Sequence, residues 1–273
     1  MRIHSKMLLL GLVLSMTTQP GGLHAQSLPQ KFLNDASEVF RGTGHVLTNP
    51  LRWQGKDWAV LGSVVGGTIA VFFADEEVNG FFRRNQSDTG DKISRFGEKY
   101  GEPLTAVIAT GGLYVIGMAV DSDWLRESCV ILSAGLLSSG IVQYPTKIMV
   151  GRARPHLGLG HDTFDPFRGE EAYYSFFSGH TMVAMVMSHT FASRIDNLPG
   201  KIVLYSMGSV AGIARMYDDS HWLSDVVLGG LFAIVNVNAA AKSLQNSRHA
   251  GHSRGVQWRI SPSAYGVRFG IMW

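Results

Sequence analysis

An all-α fold follows from three features of this 273-residue chain. Six apolar runs of helical length recur between short polar islands, and no convincing strand alternation breaks them before the last twenty residues. Residues that favour helix starts open several of these runs: Asp57, Ser178 and the pair Pro199-Gly200. Hydrophobic residues make up 45% of the chain and charged residues only 16%, well under the charged share of about a quarter found in soluble domains.

The segment 1–25 reads as a secretory signal. Arg2, His4 and Lys6 precede a short apolar core from Met7 to Met16, too short to span a bilayer. Cleavage after Ala25 fits the pattern, and an uncleaved anchor is the alternative; both send the protein out of the cytoplasm. An N-terminal segment, 26–56, comes next. Phe32, Ala36, Val39 and Phe40 predict a short amphipathic helix there, ended by Gly42, Gly44 and Asn49-Pro50.

Residues 57–245 form the helical domain. Its first core helix is expected over Trp58–Ala74 and stops at Asp75-Glu76-Glu77. A basic stretch with a short helix near Asp91–Tyr100 leads to the second, Pro103–Val120. The third runs from Trp124 to about Tyr144, the fourth from Ser178 to about Arg194, the fifth from Lys201 to about Met216, and the sixth from Leu223 to about Ser243. In the tail, 246–273, Val256, Trp258 and Ile260 alternate with polar residues, as do Tyr265, Val267, Phe269, Ile271 and Trp273. A β-hairpin turning at Ser261-Pro262-Ser263 is predicted.

Composition narrows the function. A net charge of +3, scattered along the chain, does not suit nucleic acid. No Walker loop, zinc-type spacing or internal repeat is present. The single cysteine, Cys129, lies in an apolar run and reads as a small buried hydrophobe. Mean hydropathy is +0.08, and many of the 32 glycines fall inside apolar segments, which suits helices that approach closely.

Three polar islands carry the chemistry. The first holds Lys147 and Arg154, seven apart and so able to share a helix face as an anion clamp, with Arg152 directed elsewhere. The second is Ser178-Gly179-His180 at a helix start, where free N–H groups and the positive dipole end favour phosphate. The third is Arg215 through Asp225. Its His221 and Asp225 are four apart, the spacing at which a helix lets a carboxylate orient an imidazole. Each island alone reads as a cap or a surface pair. Together they supply three cations, a helix N-terminus, two histidines and a carboxylate, which is what phosphoryl transfer to histidine uses. His156, His161 and Asp162 fit no strong metal spacing, and His45 and His189 read as structural.

The joint pattern Lys-x6-Arg-Pro, Ser-Gly-His, Arg-x5-His-x3-Asp resembles the type-2 phosphatidic acid phosphatase (PAP2) superfamily, which also includes bacterial class A acid phosphatases and vanadium haloperoxidases. The likeness covers roughly Trp58–Leu244 and implies a six-helix core bundle. It implies His221 as nucleophile, Asp225 as its orienting partner and His180 as general acid. Lys147, Arg154, Ser178, Gly179 and Arg215 would bind phosphate, with neither metal nor cofactor. Phe177 replaces the usual proline before Ser-Gly-His, and Ala214 the serine that often precedes the arginine.

The implied function is hydrolysis of a phosphomonoester or pyrophosphate. The expected partner is a phosphorylated lipid or a small phosphate ester, handled at a membrane-associated, envelope-facing site. The alternatives are a soluble acid phosphatase, a vanadate-dependent haloperoxidase and a non-catalytic lipid-binding protein. Six runs of seventeen to twenty-one residues resemble membrane spans. Arg126, Gln143, His189, Asn236 and Asn238 within them count against six plain crossings, and so does the parity of the loops.

Overall fold

In a computed structural model of the chain, backbone is described for residues 27–253, 257–263 and 266–272, and side-chain surroundings through residue 250. The expected signal segment lies outside the described residues. Among them nine α-helices form: α1 (Leu28–Thr48), α2 (Gly55–Phe72), α3 (Asp75–Arg84), α4 (Asp88–Gly101), α5 (Pro103–Ala119), α6 (Asp123–Val150), α7 (Gly179–Ala192), α8 (Leu198–Tyr217) and α9 (Leu223–Ser253). The strands β1 (Gln257–Ser263) and β2 (Gly266–Met272) pair antiparallel, Gln257 opposite Met272 and Ser263 opposite Gly266. The chain divides after Asn34. The described part of the first unit is the opening of α1, and the second unit, from Asp35 onward, holds every other element.

The six expected core helices are α2 and α5 to α9. Several boundaries differ, each for a physical reason. α1 runs through Gly42 and Gly44 to Thr48, because glycine weakens a helix without breaking it where packing compensates. Gly42 is buried there, and a Cβ on it would meet that of Ala134 at 3.0 Å. α6 passes through Pro145, where the sequence predicts its end. Asp75-Glu76-Glu77 do not merely stop α2; they open a further helix, α3, whose acidic first turn suits the positive dipole end. Asp57 lies inside α2 rather than ahead of it. Gln54 is the N-cap, and its N–H donates to Asp57 Oδ2 at 2.8 Å, half of a capping box. Pro262, expected in the hairpin turn, belongs to β1.

The core forms where apolar residues of α6, α7 and α9 meet: Val130 and Leu132, Val183 and Val186, Ala233 and Val237. Ten of the fourteen residues of α7 are buried, so it is a central helix without a water-facing side. At the other extreme, none of the eighteen residues of α2 is buried, although Trp58, Val65 and Ile69 are among them. α5 exposes Val107, Ile108 and Val115 in the same way. Such surfaces suit a lipid environment. Among the described residues, α6 and α9 (to Ala250) are long and apolar enough to cross a membrane. The count rises to four if the bent pairs α2–α3 (54°) and α4–α5 (60°) are each one span. Six plain spans are not formed: α7 is too short to cross.

The polar residues that counted against simple spans are paired within the protein. Asn236 donates to Ser139 Oγ at 2.9 Å, and Gln143 to the Phe177 carbonyl at 3.0 Å. His189 lies 2.8 Å from the Tyr205 hydroxyl and 2.9 Å from Asn238 Oδ1, tying α7 to α8 and α9. Arg126 reaches Asp35 at 2.9 Å. The polar groups carried inside these apolar helices therefore bond to one another.

Candidate active site

The first island is built differently from its spacing. α6 ends at Val150, where Gly151 takes φ +58° and its N–H returns to the Lys147 carbonyl at 2.9 Å. A side chain is excluded there, since a Cβ would lie 1.9 Å from the Asp165 carbonyl oxygen. Beyond Gly151 the chain is extended, and Ala153 and Arg154 donate backbone hydrogen bonds to Thr163 and Ala172, both at 2.9 Å. Lys147 and Arg154 therefore do not share a helix face. The turn brings them together instead. Lys147 is buried and donates to the Tyr174 carbonyl. Arg154 is partly buried, 3.5 Å from the exposed Glu171 carboxylate.

The second island is the start of α7, as its sequence implies. Ser178 is the N-cap; its hydroxyl accepts from Thr181 N–H and from the Thr181 hydroxyl, the latter at 2.8 Å. Its own N–H donates to the Asp225 carbonyl at 3.1 Å, which docks this helix start on α9. Among the described residues, the N–H groups of Gly179 and His180 have no acceptor. They form the open donor pair of a helix N-terminus.

The third island corrects the helical reading of His221 and Asp225. α8 ends at Tyr217, the chain turns through Asp219 at φ +52°, and His221 precedes α9 rather than lying on it. Arg215, in the last turn of α8, accepts at its carbonyl from Ser220 and His221 N–H at 3.0 and 3.1 Å. Asp225 is in the first turn of α9, and its Oδ2 accepts from Trp222 N–H at 3.1 Å. The histidine is thus positioned by the turn and the cap. Its Nδ1 is 3.9 Å from Asp225 Oδ2, beyond hydrogen-bond length, and Nε2 is left for a ligand. Trp222 donates its ring N–H to the Ala153 carbonyl at 2.8 Å, fastening this turn to the first island.

These three islands converge. Burial pushes the His180 imidazole down to about 4, and the charges of Arg215, Lys147 and Arg154 act in the same direction. Burial also pushes His221 down to about 3; the Asp225 carboxylate pulls it up, while Lys147 and Arg154 reinforce burial. Both rings are therefore neutral at physiological pH and lie among three cations. Among the described residues, Arg154 Nε, Arg215 Nε and His221 Nδ1 are buried without a hydrogen-bond partner. Such groups cost stability unless something else satisfies them. One comes from the first island and two from the third.

Behind the site lies a network that sequence spacing does not reveal. Arg152, 1% exposed, donates through Nη1 to Asp225 Oδ1 at 2.8 Å and through Nη2 to Asp75 Oδ2 at 2.7 Å. Asp75, at the start of α3, also accepts from Ser224 N–H at 2.8 Å and from its hydroxyl at 2.6 Å. Ser175 donates to Asp225 Oδ2 at 2.5 Å, and Arg152 further donates to the His161 carbonyl at 3.0 and 2.7 Å. Phe72 and Trp222 rings lie 4.9 and 5.5 Å from the guanidinium carbon. The sequence sets Arg152 apart from Arg154 on helix geometry; the helix ends before both, and Arg152 is set apart by its bonds to Asp225 and Asp75. A charged residue at the end of an apolar run, as Asp75 is, is the only sequence signal of its partner.

The remaining histidines stay outside the convergence. His45 pairs with Arg52 at 3.2 Å, His161 Nδ1 lies 3.1 Å from Glu76, and His156 Nδ1 lies 3.3 Å from the Asp219 carbonyl. Among the described residues no three His, Cys, Asp or Glu side chains form a metal-binding group. Cys129 is a buried free thiol.

Fold and site together define an all-α protein with a cluster of cations and histidines at a helix N-terminus. Residues 128–249 match the family model described as the PAP2 superfamily. Among solved structures it is similar to a transmembrane PAP2-type phosphatidylglycerolphosphate phosphatase from Bacillus subtilis. The two share 15% identity with a TM-score of 0.48, over 71% of this chain and 98% of that one. No curated protein matches.

Proposed function

We propose that the segment 57–245 is a phosphatase domain that needs no metal and acts on a phosphate group carried by a lipid. The observation that supports this most is the convergence of three cations, two unpaired helix N–H groups and two neutral imidazoles, with buried donors left unbonded. Lys147, Arg154 and Arg215 hold the equatorial oxygens, together with the α7 N-terminus at Ser178 and Gly179. This is where a metal ion acts in other phosphoryl transfers.

His221 Nε2 attacks phosphorus, forming a P–N bond while the bond to the leaving oxygen breaks. His180 donates a proton to that oxygen. Water then attacks phosphorus, His180 takes its proton, and the P–N bond breaks to release inorganic phosphate and free His221. As imidazolium charge develops, Nδ1–H closes onto Asp225 from its 3.9 Å separation. Arg152 and Asp75 hold that carboxylate in place. An incoming dianion offsets the three cations and so raises His180 toward the protonated form an acid requires.

The unburied α2 and the exposed apolar residues of α5 support a membrane-embedded body and hence a lipid-borne phosphate. The N-terminal segment supports export and an envelope-facing site. Purified protein in detergent should release phosphate from phosphatidic acid, phosphatidylglycerol phosphate, polyprenyl pyrophosphate or a lipid A phosphate in the presence of EDTA. The His221→Asn variant should not. Equal turnover by that variant refutes the mechanism, and peroxide-dependent halide oxidation after vanadate loading, without phosphatase activity, would assign the site to haloperoxidase chemistry.

A further inference from the structure

A cavity of about 320 Å³ has Arg215 in its lining and shares that residue alone with the proposed phosphate-binding set. One wall is a single face of α4, at helical spacing: Asp91, Ser94, Arg95 and Glu98. The other is the end of α8, where Arg215 and Asp218 are joined by Ser220, the residue before His221. Lys147, Arg154, Ser178, His180 and His221 do not line it. Arg215 is 7% exposed, its Nε has no partner, and its Nη1 is 3.5 Å from Glu98 and 3.8 Å from Asp218, outside hydrogen-bond range.

The same helix leads to the proposed acid. One turn beyond Glu98, Gly101 lies so close to α7 that a Cβ on it would meet the His180 carbonyl oxygen at 2.7 Å. The neighbouring Glu102 carboxylate is near enough to act on the His180 ring. One helix, α4, thus both lines the cavity and packs on the start of α7 that carries His180.

Its lining selects a chemistry. Asp91 Oδ1 accepts from the Tyr217 hydroxyl at 2.7 Å and Asp218 Oδ1 from the Ser94 hydroxyl at 2.6 Å, leaving each carboxylate a second oxygen. The Arg95 side chain makes no hydrogen bond or ion pair among the described residues. Three carboxylates against two guanidiniums give a small negative balance, which disfavours a second phosphate or another acid. An acyl chain would leave all of these groups desolvated. Alternating acceptors and donors match hydroxyl groups, which both give and accept hydrogen bonds. We infer that this cavity is a leaving-group subsite for an uncharged polyol, a sugar or glycerol, esterified to the phosphate that His221 attacks. The inference rests on the proposed phosphatase reading.

The test compares two detergent-like esters with one alkyl chain: octyl phosphate, and octyl glucoside phosphorylated on its primary hydroxyl. Wild type should show kcat/KM for the sugar ester higher by roughly tenfold or more, the discrimination expected from a site built to bond hydroxyls. Arg95→Ala and Glu98→Ala should each bring that ratio to within about twofold of unity, since the hydroxyl partners are lost. A wild-type ratio near one, a preference for octyl phosphate, or a ratio that survives both substitutions overturns the subsite while leaving the phosphatase intact. If neither ester gives His221-dependent phosphate release, the function itself fails and the subsite fails with it.

Discussion

Arg152 and Arg154 are two residues apart and belong to opposite sides of one site. Arg152 is fully buried and bonded to two carboxylates, a hydroxyl and a carbonyl. Arg154 is partly buried, has no hydrogen-bond partner at Nε among the described residues and faces an exposed glutamate at 3.5 Å. Residues two apart on a regular strand would share a face; the two arginines part because Arg152 is held by Asp225 and Asp75, whereas Arg154 caps the tight turn Pro155–Leu157. Buried polar groups that satisfy one another hold a structure together, whereas buried groups left unsatisfied await a ligand.

The largest expected effect breaks the rear side. Asp75→Ala removes one of the two carboxylates that balance a fully buried guanidinium. Loss of a buried partner of this kind costs about 3–5 kcal/mol of stability. Denaturant unfolding in detergent measures it, and a change below about 1 kcal/mol, the scale of an exposed ion pair, would remove the distinction between the two arginines.

Next comes the front side. Arg154→Ala or Arg215→Ala should lower kcat/KM by about 10²–10³-fold, the scale of a lost transition-state donor. Stability should be unchanged or higher, since like charges are crowded there. Large destabilisation by these variants, with little kinetic effect, would reverse the assignment.

A smaller effect concerns pH. Both site histidines are held below the ordinary imidazole range, so the fold keeps them neutral while an unfolded chain takes up protons near 6.5. Stability is then fully present above about 6.5. It falls as pH drops toward about 4 for His180 and about 3 for His221. Unfolding midpoints of His180→Asn and His221→Asn, taken across this window, should show flatter slopes than wild type. Inorganic phosphate should move the His180 NMR titration upward, and an unmoved titration would separate that ring from the anion site.

The smallest effect is at Glu171. Its carboxylate is exposed and only loosely set against Arg154. Glu171→Gln frees the guanidinium for substrate and should lower KM by less than about fivefold, as exposed ion pairs are weak. A rise in KM would instead make Glu171 part of substrate binding.

Sequence and structure agree most closely where function depends on residue types at short spacing. Ser178-Gly179-His180 had to open a helix to serve an anion, and the apolar run after it required that helix. Lys147, Arg154 and Arg215 lie near enough for their charges to act on the His180 ring, and Lys147 and Arg154 for theirs to act on His221. The backbone that achieves this was not legible. Seven residues suit two helical turns, yet Gly151 ends the helix between Lys147 and Arg154. Four residues suit one turn, yet His221 stands before α9 and Asp225 within it. Both spacings fit a helix and a cap equally well, and only tertiary contacts decide. Asp75 was beyond local reasoning altogether. Its partners Arg152 and Ser224 are 77 and 149 residues away, and a carboxylate ending an apolar run is usually solvated.

The central claim is that His221 carries the phosphoryl group. Purified protein mixed with a phosphate-labelled lipid and quenched within a turnover should retain label that is stable in alkali and labile in acid, as a phosphoramidate is. Wild type should show it with EDTA present, His221→Asn should not, and His180→Asn should accumulate it from a substrate with a good leaving group. Label retained by His221→Asn, or product formation by wild type with no trapped label under any quench, would contradict the account.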